Sequence, residues 1–65
     1  MNNLKIISTD ELHQTISSYI TDNEIIIGEY DDMKDVILRM IRAGYMFNMD
    51  RDRLRDAMED ITYLC

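Results

Sequence analysis

Apolar residues recur at three- and four-residue steps over the second half of the chain. Met33, Ile37, Met40 and Ile41 form one set, and Leu54, Ala57, Met58, Ile61 and Leu64 form another. This is the period of one helix face, and it predicts helices near residues 31–43 and 49–63. Asp31 and Asp32 suit the positive end of the first helix dipole, and Arg39 and Arg42 suit its negative end. The two patterns meet at Ala43-Gly44-Tyr45. Gly44 stands where a helix closes with a left-handed residue, and Tyr45 supplies the hydrophobic contact that accompanies such an ending. Asn48 or Asp50 can cap the last helix, within which Arg55 can meet Asp52 and Glu59 at helical spacing.

The first half reads less uniformly. Leu4-Lys5-Ile6-Ile7 is short and β-branched, and Ser8 with Glu11 three residues later makes a capping box. Ile7 before the cap and Leu12 at the fourth helical position form a hydrophobic staple. A helix over about 9–21 follows, with Leu12, Ile16, Tyr19 and Ile20 on one face and Thr21-Asp22-Asn23 ending it. Residues 24–30 admit two readings. Ile25-Ile26-Ile27 between turn residues reads as a short strand, whose available partner in a two-stranded sheet is residues 4–7. Alternatively Ile26 and Tyr30 continue the stripe of the second helix backwards across Gly28, at a propensity cost of ~1 kcal/mol. Either way the expected fold class is mainly α, a single small three-helix domain.

Composition narrows the chemistry. A chain of 65 residues is one domain and buries only ~60% of its unfolded surface. Such scaffolds usually depend on disulfides, metals, association or well-matched helices. Cys65 is the lone cysteine and His13 the lone histidine, so no disulfide within the chain and no Cys/His zinc cluster is expected. Thirteen acidic residues against seven basic ones give a net charge of −6. That balance disfavours direct contact with nucleic acid or an anionic membrane and selects a basic protein partner. The opening Met1-Asn2-Asn3-Leu4-Lys5-Ile6-Ile7 lacks the apolar core of a signal peptide and no run approaches a membrane span, so a cytoplasmic location is expected.

No motif marks a catalytic centre. His13 sits on the polar side of the first helix with no nucleophile motif nearby, and reads as an exposed surface histidine. Asn48, Asp50, Asp52, Asp56 and Glu59 fall at positions 1, 3, 5, 9 and 12 of a calcium-binding helix-loop-helix. However, Arg53 occupies the position that requires glycine, and Leu54, Ala57 and Met58 place the stretch in a helix. A capped, salt-bridged helix is the expected outcome, with no metal and no cofactor. Met33, Met40 and Met58 fall on core positions. Tyr45-Met46-Phe47 lies in a connection and either folds back on the core or docks on a partner.

The acidic run Asp22, Glu24, Glu29, Asp31, Asp32 and Asp35 is relieved only by Lys34. It reads as a solvated helix-dipole face, or as a negative surface that fits a basic groove in place of nucleic acid. In size, charge and composition the chain resembles small acidic proteins that bacteriophages make to block host nucleases, CRISPR effectors or transcription factors. That resemblance carries over no residues. It implies a non-enzymatic protein-binding inhibitor, with Glu29, Tyr30, Asp31, Asp32, Asp35, Tyr45 and Phe47 as partner-binding residues. The alternative is a self-associating structural or regulatory protein whose Met/Tyr surfaces close a homodimer.

Overall fold

A computed structural model describes residues 4–64; Met1 to Asn3, Cys65 and the side chain of Leu64 lie outside the described residues. Strand β1 (Lys5–Ile7) leads through a 3-10 turn (Thr9–Glu11) into α1 (Leu12–Asp22). Helix α2 (Tyr30–Arg42), strand β2 (Tyr45–Phe47) and helix α3 (Arg51–Leu64) follow. The mainly helical three-helix architecture is as the apolar periodicity predicts.

The helix starts are set locally. The Glu11 carboxylate accepts the Ser8 backbone N–H at 3.3 Å, so the expected box closes around a 3-10 turn before α1 proper begins. Ile7 and Leu12, the staple pair, are both buried in the core. Asp50 rather than Asn48 caps α3, its Oδ1 accepting the Arg53 N–H at 3.1 Å. Along α3, Arg55 lies 3.5 Å from Asp52 and 3.9 Å from Glu59, both exposed.

One core joins the three helices and the inner side of the strands. Ile7, Leu12, Ile16 and Ile20 meet Met33, Val36, Ile37 and Met40 from α2 and Ala57, Met58 and Ile61 from α3. Each large apolar side chain fully buried there contributes ~1.5–3 kcal/mol relative to exposure. Tyr45 and Phe47 are half-buried against this core, while Met46 between them is 50% exposed. Tyr45 also stacks edge-on against Tyr19, with ring centroids 5.8 Å apart.

Three expectations need correction. First, residues 24–30 form neither a strand nor an extension of α2: the chain runs irregularly through 25–28 and the helix begins at Tyr30. Asp32 accounts for that start, because its Oδ2 accepts the backbone N–H groups of Gly28 (2.8 Å) and Glu29 (3.0 Å). With the Glu29 carboxylate accepting the Asp32 backbone N–H in return, this is a capping box that fixes the first turn, and the Gly28 N–H is drawn to the same Asp32 carboxylate instead of into a further turn. Second, the partner of β1 is β2, in a parallel pair with Ile6 opposite Met46 and Ile7 opposite Phe47. Third, Ile41 points outward at 51% exposure, and Val36, 1% exposed, takes its place in the buried stripe. With Met33, Val36, Ile37 and Met40 already filling the face, Ile41 lies past its edge.

Candidate partner-binding surface

The surface that gathers the expected residues is assembled where α1 ends and α2 begins. Helix α1 closes with two reverse hydrogen bonds, Ile25 N–H to the Ile20 carbonyl (3.0 Å) and Glu24 N–H to the Thr21 carbonyl (3.2 Å). This is a Schellman ending, and it places Glu24 in the left-handed region at φ 53°. Glycine is the usual occupant of that position; a glutamate holds it at a conformational cost of ~1 kcal/mol. Ile25, just beyond, packs half-buried against the core beside Ile20, the hydrophobic contact of the motif.

The connection then lifts Ile26 into solvent at 88% exposure, while Ile25 and Ile27 turn inward. Beside it opens a hollow of ≈ 300 Å³, lined by Asn23, Glu24, Ile25 and Ile26 on one side and Asp35 and Arg39 of α2 on the other. Leu38, 53% exposed, continues the same outward side of α2 with Arg39 and Arg42. The arrangement is an exposed apolar tip set among carboxylates, with two arginines toward the far end of the helix. Periodicity alone assigned Ile26 to a strand or a core stripe and passed over Leu38. The exposure of Leu38 follows from the phase of α2, which the Glu29–Asp32 capping box starts at Tyr30, and that of Ile26 from its place in the irregular connection before it.

The seven expected partner-binding residues divide three ways. Glu29, Asp31 and Asp35 are exposed, with Asp31 loosely paired to Lys34 at 3.8 Å. Asp32 is half-buried and holds the cap. Tyr30, Tyr45 and Phe47 are half-buried in packing roles: the Tyr30 hydroxyl lies 3.9 Å from the Met58 sulfur, and Lys34 sits 5.5 Å from the Tyr30 ring centre. Tyr30 also borders a groove between α2 and α3 that contains Lys34, Arg51 and Arg55, a mixed rather than acidic setting. Of the carboxylates, Glu24, Asp32 and Asp35 share the hollow beside Ile26 with Arg39, and the aromatic residues do not line it.

His13 is exposed, its Nε2 3.3 Å from the Asp60 carboxylate of α3, an ion pair or hydrogen bond at the surface according to protonation. Asp52, Asp56 and Glu59 are distributed along α3. Among the described residues no three His, Cys, Asp or Glu side chains group to hold a metal ion, and no helix is long and apolar enough to cross a membrane. Comparison with protein-family models, curated proteins and solved structures returns no match.

Proposed function

We propose that the chain is a non-enzymatic cytoplasmic binding module that seats its acidic α1–α2 corner in a basic, nucleic-acid-binding groove of a larger protein and blocks it. The observation that carries this reading is Ile26, 88% exposed at a hollow whose lining includes Glu24, Asp32 and Asp35, with the exposed Glu29 and Asp31 nearby in sequence at the start of α2. An exposed apolar tip supplies affinity when a pocket desolvates it, and nearby carboxylates speed and select the encounter with a cationic groove. This replaces Tyr45 and Phe47 as anchors, since those rings are used within the fold. Asp32 contributes indirectly, by holding the corner in shape.

The test is capture of a target from a host lysate on immobilised protein, followed by competition. The reading expects a basic nucleic-acid-binding protein that duplex DNA or RNA displaces. It also expects that protein to be lost in ~1 M salt, where the screening length is about 3 Å. Ile26→Ser should weaken the complex at least tenfold, and Asp31→Lys with Asp35→Lys should remove its salt dependence. Binding that survives both changes, or that nucleic acid does not displace, overturns the proposal.

A further inference from the structure

The β1–β2 pair presents a second surface of opposite character. Parallel strands are ordinarily covered on both faces. Here the core covers one side through Ile7, Tyr45 and Phe47, while on the other Ile6 (59% exposed) and Met46 (50%) stand side by side in register. Leu4, two residues before Ile6, is 55% exposed. Among the described residues each strand pairs only with the other, so both outer edges also keep free backbone groups.

Charge identifies what can cover this face. All thirteen carboxylate side chains lie within residues 10–35 and 50–60, whereas segments 1–9 and 36–49 contain only Lys5, Arg39 and Arg42 as charged residues. Both strands come from those acid-free segments. Two copies of a chain with net charge −6 repel wherever their carboxylates oppose each other, and the two strands, whose one charged residue is Lys5, bring no carboxylate of their own to a shared contact. An isologous contact uses each apolar residue twice, so three exposed side chains per copy make a six-residue apolar seam. Helix α2 runs from the acidic corner at its N-terminus to β2 at its C-terminus, about 20 Å at 1.5 Å per residue. Pairing at the sheet thus leaves the acidic corner of each copy free.

We infer that a second copy of this chain covers the outer face of the β1–β2 pair, with Leu4, Ile6 and Met46 of each copy packed across a two-fold axis. The dimer presents two acidic corners, and on a target with two basic grooves it gains avidity without any new contact. The contact stands independently of what the acidic corner binds.

Light scattering and sedimentation under reducing conditions, from about 10 μM to about 1 mM protein, test it. The expected result is a mass that rises from 7.7 kDa toward twice that value and persists at ~1 M salt. Ile6→Thr with Met46→Thr should hold the chain monomeric with its helical circular dichroism unchanged. Asp31→Lys with Asp35→Lys should leave the dimer intact. Should the threonine variant fail to fold, concentration-dependent amide shifts of the wild-type chain serve instead, and they should be confined to residues 4–7 and 44–48. A mass of 7.7 kDa throughout, a dimer that the threonine variant preserves, or shifts centred elsewhere overturns the inference.

Discussion

Ile25-Ile26-Ile27 and Tyr45-Met46-Phe47 begin alike and end differently. Each follows a helix closed by a residue with positive φ, Glu24 at 53° and Gly44 at 103°. Each alternates half-buried, exposed, half-buried along its three residues. Yet only the second is a strand. Its backbone is taken up by β1 at both ends of the ladder, with the Gly44 carbonyl accepting Lys5 N–H at 2.8 Å and Asn48 N–H reaching the Ile7 carbonyl at 2.9 Å. The first run has no such edge; directly after it, the Gly28 and Glu29 N–H groups turn to the Asp32 carboxylate. Alternation of burial is a property of extended chain, whereas a strand needs a partner.

That distinction explains what the sequence made legible. Helix existence, the Gly44 ending, the Ser8–Glu11 box and the Ile7–Leu12 staple are local patterns, and each appears where residue spacing places it. Which segment pairs with residues 4–7 is a choice between two β-branched or aromatic runs at long range, and nothing in either run's own pattern decides it. The parallel pairing also requires α1 and α2 as a crossover, a topological fact no window of residues contains. The exposure of Ile41 depends on the phase of α2 and that of Ile26 on where α2 begins, and both follow from a capping box formed by two acidic residues, Glu29 and Asp32. The acidic corner is legible as charge, but not as charge beside an exposed Ile26.

The largest effect that separates the two runs should come from Gly44→Val. A β-branched residue at φ 103° is sterically excluded, and relaxing it disturbs the carbonyl that anchors β1. We expect a loss of about 2 kcal/mol and a melting temperature about 8–16 °C lower by circular dichroism. A shift under a few degrees would show that the strand pair contributes little to stability.

Asp32→Ala addresses the other run and should cost less, about 1 kcal/mol, because the two N–H groups it abandons can turn to water. Faster hydrogen exchange at Gly28 and Glu29, with the β1–β2 amides unchanged, would locate the effect at the corner. Asp32→Asn keeps one acceptor oxygen and should lose roughly half as much. Equal losses for the two variants would mean that charge at the helix dipole outweighs the hydrogen bonds.

Glu24→Gly should produce the smallest change and the only gain. Glycine relieves the left-handed strain that Gly44 avoids, but a more flexible unfolded chain offsets part of it, leaving about 0.5 kcal/mol of stabilisation. A residue held in a strained conformation marks either a plain cost or a position kept for another purpose, and Glu24 sits beside Ile26 on the proposed binding corner. Thermal melts and target capture, measured on the same variant, separate the two. Higher stability with weaker capture identifies the glutamate as retained for its charge. Higher stability with unchanged capture removes Glu24 from the corner and leaves Asp31 and Asp35 to supply the field. Lower stability would mean that the Glu24 side chain supports the end of α1 through interactions that outweigh its backbone strain.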